Sequence, residues 1–169
     1  MYKFLTFFTL FLLVSFHANA APPKEIGEFG DWIAYHYKET NGDVCYMASA
    51  PKKDEGKYNK RGDIYVVVTH RPKEKSFDVV NFVAGYDYKT GSEVAVKIGN
   101  KTIDNLFTSG DKAWAISDST DKELVAAMQK GDKMIVHGES SRGTKTKDTY
   151  SLKGFSAAYK AISTKCNKK

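Results

Sequence analysis

From Phe29 to the C-terminus, hydrophobic positions come in short runs separated by turn-forming residues. Residues 29–37 place Trp32, Ile33, Tyr35 and Tyr37 in partial alternation, the period of a strand. Thr40-Asn41-Gly42-Asp43 follows, and Asn-Gly suits the type I′ turn of a hairpin. Residues 44–50 predict the second strand, closed by Pro51, and the charged stretch 52–62 predicts a loop. Residues 64–69 form a β-branched run without alternation, which predicts a strand buried on both faces. Residues 77–84 predict another strand, closed by Gly85. In 93–98 the alternation is clean: Val94, Val96 and Ile98 share one face, Glu93, Ala95 and Lys97 the other. Residues 103–108, 112–117, 133–140 and 145–152 complete the strands.

One segment has helical spacing. Leu124, Val125, Ala127 and Met128 make an apolar stripe. Thr120 as N-cap with Glu123 predicts a capping box, Asp121 suits the positive helix end, and Gly131 is the stop. Residues 155–162, rich in alanine, predict a second short helix. Trp32 and Trp114 are expected as core anchors. About eight or nine short strands with one or two helices imply a mainly β, antiparallel sandwich or barrel. The strand–helix alternation of a parallel doubly wound sheet is absent.

The N-terminus has a different pattern. Lys3 precedes an apolar run over 4–16, and Ala18-Asn19-Ala20 offers a small-x-small cleavage site. Such a run spans about 20 Å as a helix, short of a hydrocarbon core of about 30 Å. A secretory leader over 1–20 is therefore expected, with no cysteine at the cleavage point to carry a lipid. The expected organisation is a leader at 1–20, a flexible segment at 21–28, one β-sandwich domain at 29–166 and a tail at 167–169.

The 169 residues carry 26 Lys and Arg against 20 Asp and Glu, a net charge of +6, of which Lys3 leaves with the leader. The lysines are scattered, so attraction to anionic surfaces is mild. The two cysteines, Cys45 and Cys166, are expected to bond in an oxidising compartment and to pin the chain's end to an early strand. A catalytic cysteine is the alternative, with nothing nearby to support it.

Chemistry is otherwise sparse. His36, His70 and His137 show no metal-ligand spacing. Ser140-Ser141-Arg142-Gly143 lacks the flanking glycines of a nucleophile elbow and predicts a hairpin turn. No phosphate-cradling glycine motif occurs. No cofactor, metal or catalytic residue is expected. Three loops are basic: Lys52, Lys53, Lys57, Tyr58, Lys60 and Arg61 in one, Arg71, Lys73 and Lys75 in another, Arg142, Lys145 and Lys147 in the third. They are either a solvated rim or the edge that meets an anionic polymer or lipid head group. Export argues against nucleic acid as partner.

Several motifs resemble one family in order and spacing. These are Phe29-Gly30-Asp31-Trp32, Val44-Cys45-Tyr46-Met47-Ala48-Ser49 with Pro51-Lys52, and Thr69-His70-Arg71-Pro72. Phe77-Asp78-Val79-Val80, Ser140-Ser141-Arg142-Gly143-Thr144 and Asp148-Thr149-Tyr150-Ser151-Leu152-Lys153-Gly154-Phe155 continue the pattern. Together they resemble the invasion-associated locus B family of bacterial exported proteins over residues 29–162. The resemblance implies an Ig-like or jelly-roll-like β-sandwich in the envelope of Gram-negative cells, with no catalytic residue to transfer. The expected function is a non-enzymatic periplasmic or envelope-associated module binding a protein or anionic envelope component, with a role in host-cell interaction. A periplasmic hydrolase acting on an envelope polymer is the alternative. Arg71, Lys73, Arg142 and Lys145 are the expected binding surface.

Overall fold

Eleven strands and two α-helices make up residues 22–168, the part of the chain that the computed structural model describes. The leader expected at 1–20 lies outside them. The strands are β1 Lys24–Phe29, β2 Trp32–Glu39, β3 Gly42–Ser49, β4 Lys53–Gly56, β5 Tyr65–Arg71, β6 Ser76–Val83, β7 Glu93–Ile98, β8 Lys101–Ser109, β9 Lys112–Trp114, β10 Lys133–Glu139 and β11 Lys145–Ser151. The helices are α1 Asp118–Met128 and α2 Phe155–Lys165. No helix among the described residues is long and apolar enough to cross a membrane.

All pairings are antiparallel, in the order β1-β2-β3-β5-β6-β9-β8-β7-β10-β11-β4. The long sheet folds over itself in a sandwich-like form. Inward side chains from both halves, Trp32, Met47 and Phe82 from one and Leu106, Met134 and Tyr150 from the other, meet in a single core. Most hydrophobic runs become the strands that the sequence predicts, and β7 buries Val94, Val96 and Ile98 as its alternation requires.

Five expectations need correction. The segment 21–28 is not a free arm, because β1 pairs with β2 along most of its length. Its polar residues belong to an edge strand, which has water on one side. The charged loop 52–62 likewise contains β4, an edge strand on β11, where Glu55 pairs with Lys53 along its own strand and with Lys147 across the ladder. The β-branched run is buried on one face only: Val66, Val68 and His70 point inward, whereas Tyr65 is exposed and Val67 half-buried. Helix α1 starts earlier than Thr120. Ser117 is its N-cap and accepts the Thr120 N–H, while Glu123 pairs with Lys101 instead of closing a capping box. Trp32 is fully buried, but Trp114 is only half-buried, stacked on exposed Phe107 at 5.5 Å.

The C-terminus is docked rather than frayed. Phe155 of α2 meets Trp32 edge to face at 4.9 Å, and the Trp32 Nε1–H donates to the Ser151 carbonyl at 3.1 Å. At the other end of α2, Cys166 is bonded to Cys45 with a Cα–Cα distance of 6.0 Å. Lys168 then reaches the buried Asp78 carboxylate. The chain must turn sharply to enter α2, and Gly154 does so at φ 91°, with its α-carbon so close to the Phe29 carbonyl that a Cβ would lie 1.8 Å from that oxygen.

Burial favours the neutral form of two titratable groups, His70 and Asp121. His70, fully buried beneath α2, is pushed down to about 4 by desolvation. Its neutral ring accepts the Asp78 N–H through Nδ1 and reaches Ser163 Oγ through Nε2, both at 3.1 Å. On α1, Asp121 accepts the Val80 N–H at 2.8 Å, and burial raises its carboxyl to about 6. A carboxyl raised on folding stabilises the protein below its unfolded range near pH 4 and loses that contribution as pH climbs through 6. Asp121→Asn keeps the acceptor without the charge. Relative to wild type, its unfolding free energy should therefore rise between pH 4 and 7, by on the order of 3 kcal/mol. Urea melts at a series of pH values read this directly; a pH-independent difference would contradict it.

Candidate functional site

The chain leaves edge strand β4 and re-enters the sheet at β5, in the middle of the order, so residues 57–64 must cross one end of the sandwich. Arg61 fastens this crossing. Its Nη1 and Nη2 donate to the two Asp148 carboxylate oxygens at 2.7 and 2.6 Å, and its Nε donates to the Ala84 carbonyl at 2.6 Å. Both side chains are nearly inaccessible, at 3% and 6% exposure. The guanidinium also lies against the Tyr86 and Tyr58 rings, 4.9 and 5.4 Å from their centres. Tyr86 is anchored in turn by a 2.6 Å bond to Thr146 Oγ1, and Tyr58 donates to Asp54 Oδ2.

Burial pushes the Asp148 carboxyl up, and the Arg61 bonds offset only part of that rise. Burial alone would lower the Arg61 guanidinium, but the Asp148 bonds more than reverse this, so the pair is held charged.

Two further loops join the crossing. The Gly62 N–H donates to the Gly85 carbonyl at 2.8 Å, and the Ser141 N–H donates to the Asp87 carbonyl at 2.7 Å. Gly85 sits at φ 69°, and a Cβ there would come within 2.5 Å of the Gly62 carbonyl oxygen, so the two loops meet only with glycine at this position. Ser140–Gly143 is the hairpin turn that the sequence predicts: the Gly143 N–H donates to the Ser140 carbonyl, and Ser140 Oγ accepts the Thr144 N–H. The three loops enclose a cleft of about 590 Å³. Lys57, Lys60 and Arg142 stand on its wall, exposed and without an ion-pair partner among the described residues.

The four residues expected to form one binding surface are divided. Arg142 lines the cleft. Lys145 is exposed at the start of β11, beside the cleft but outside its lining, because its neighbours Thr144 and Thr146 supply that wall. Arg71 ends β5, and Lys73 follows in a 3-10 turn, Pro72–Glu74. That is the opposite end of a seven-residue strand, about 20 Å from the cleft at 3.3 Å per residue. There Arg71 pairs with Glu39 at 3.5 Å, and the Lys73 side chain lies over Gly42. Arg61, which the sequence groups with the solvated cations, is a buried strut instead. Its partner Asp148 was legible in one respect: Thr146, Asp148 and Tyr150 alternate inward on β11, and a carboxylate on an inward face requires a cation.

The histidines do not converge on the cleft. His36 pairs with Asp43 at 2.8 Å, His70 lies under α2, and His137 is exposed on β10. Among the described residues no group of three or more His, Cys, Asp and Glu side chains is arranged to hold a metal ion.

Removing one partner of a buried, hydrogen-bonded ion pair leaves the other charge stranded. Arg61→Met should lower the unfolding free energy by about 3–5 kcal/mol. Arg61→Met with Asp148→Leu should recover much of the loss, because no charge remains buried. Chemical denaturation of the two variants decides this; equal losses in both would show that packing, not charge, governs the site.

Comparison with known proteins agrees with this architecture. The chain is similar to the crystal structure of invasion associated protein B from Bartonella henselae, with a TM-score of 0.56 and 17% identity, over 87% of this chain and 99% of that one. That identity establishes the fold alone. No curated protein matches the sequence. The family model described as Invasion associated locus B (IalB) protein matches residues 32–163. That span takes in both sheet halves, the crossing loop and the cleft, and the chain belongs to the invasion-associated locus B family.

Proposed function

We propose that this protein is an exported, non-enzymatic binding module of the cell envelope. It holds an anionic envelope or protein partner at the loop end of the sandwich, with a role in host-cell interaction. The observation that carries the reading is the cleft of about 590 Å³ whose unpaired cations stand on a rigid, buried base. A positive rim on a preformed concavity attracts and orients an acidic partner. The disulfide suits an oxidising compartment, and the N-terminal pattern of Lys3, an apolar run and Ala18-Asn19-Ala20 suits export.

A non-catalytic role is supported by how the reactive groups are used. Ser140 Oγ is engaged within its own turn, and Asp148 is bound to Arg61. Among the described residues no base is hydrogen-bonded to the Ser140 hydroxyl, and the Asp148 carboxylate is taken up by the guanidinium.

Two measurements test the reading. Expression with the native leader in a Gram-negative host should yield periplasmic protein beginning at Ala21 by mass spectrometry; a full-length cytosolic product would refute export. Envelope material should be retained on immobilised mature protein, and Lys60→Glu with Arg142→Glu should weaken that retention by about tenfold. Unchanged retention would remove the cleft from the function. Exposed loop substitutions change stability little, so both variants should fold.

A further inference from the structure

We infer that the cleft is a saccharide site selective for acidic sugars, those bearing carboxylate, phosphate or sulfate groups. The inference rests on the binding-module reading and names its ligand class. Three features of the wall point to sugar rather than to a bare anion. First, Tyr58 and Tyr86 line the cleft with rings fixed against Arg61, and Tyr86 is also bonded to Thr146. Immobilised aromatic rings offer apolar contact area at low entropic cost. Second, Asn59 and Ser141 on the same wall are exposed polar side chains of the kind that bond hydroxyl groups. Third, the volume lies in the range of sites that enclose a ligand of several rings, far more than one ion occupies.

Charge then sets the selectivity. Arg61 gives three of its five N–H donors to Ala84 and Asp148, and its side chain is only 3% exposed, so it supplies the floor and not the anion contact. Lys57, Lys60 and Arg142 remain, two on the crossing loop and one on the β10–β11 turn. Cations on two separate loops match acidic groups spaced along an oligosaccharide better than a single compact anion. Asp87 is the one carboxylate in the lining and opposes them only partly.

The test is calorimetric titration of mature wild-type protein with three probes: a heparin hexasaccharide, a delipidated lipopolysaccharide core oligosaccharide carrying phosphate, and neutral maltohexaose. One or both acidic probes should bind with Kd on the order of micromolar and weaken as salt rises; maltohexaose should not bind. Inorganic sulfate or phosphate at the same concentration should not displace the bound probe. Which acidic probe binds identifies the source as sulfated or phosphorylated glycan. Lys57→Ala, Lys60→Ala and Arg142→Ala combined should weaken binding at least about tenfold, whereas Arg71→Ala with Lys73→Ala, at the far end of β5, should leave it within about twofold. No binding of either acidic probe, equal binding of maltohexaose, or equal loss in the two variants would overturn the inference. If envelope retention still depends on Lys60 and Arg142 while both acidic probes fail, the ligand class is wrong and the binding module stands. If retention is also unaffected, both fall.

Discussion

The buried pair of Arg61 and Asp148 is the constraint on which the functional end of the molecule depends. Sheet order alone puts β4 at one edge and β5 in the interior, and a charged connection between them has no hydrophobic reason to lie across the sandwich. The guanidinium supplies the reason. It fixes the crossing to β11 through the carboxylate, to the end of β6 through the Ala84 carbonyl, and to two tyrosine rings. Burying such a pair has a desolvation cost that excellent geometry only offsets, so its value here is positional. It holds three loops in one arrangement and leaves the neighbouring cations outside.

The face of the sheet under α2 is organised differently. There α2 closes over β1, β2 and β3, with Phe155 on Trp32 at its start and the Cys45–Cys166 bond at its finish. His70 lies between sheet and helix as a neutral hydrogen-bonding group, and Asp78 takes up Lys168 and Tyr159. The cleft is thus tied by charge, and the α2 face by covalent and apolar contacts together with the Lys168–Asp78 pair. His70 is held below its unfolded value, so its contribution is present above about pH 6.5 and is lost as pH falls through 4.

Much of the sheet was legible because burial and periodicity coincide. The place of the β2–β3 hairpin, the alternation of β7 and the serine turn before β11 follow from local rules, but the type I′ form expected of Asn41-Gly42 does not occur: Glu39 pairs with Gly42, so Thr40 and Asn41 are the central residues, and Gly42 alone of the three has a positive φ, 120°. The misses share a cause. Strands β1 and β4 lie at the two edges of the sheet, where half of each backbone needs no partner and charged side chains are tolerated, so neither carries a hydrophobic signature. The α1 boundary was ambiguous because Ser117, Asp118, Ser119 and Thr120 are all capping types. The site was the least legible part. Of its cations only Arg142 stood out, Lys57 and Lys60 being grouped with the rest of a charged loop, and long-range contacts such as Arg61–Asp148, 87 positions apart, bring their loops together. Choosing Arg71 and Lys73 alongside Arg142 failed because sequence gives no sign of which end of a strand a loop occupies.

The cystine closes a circuit of 121 positions, from the third strand to the last turn of the final helix. Nearly every exposed loop, including the walls of the cleft, falls inside that circuit. A protease that cuts one of them therefore produces no separate fragments: the two pieces stay tethered through sulfur, and their strands remain interleaved in the same sheet. Outside a cell, where peptidases are abundant and resynthesis is impossible, a nicked copy of this molecule can keep its shape.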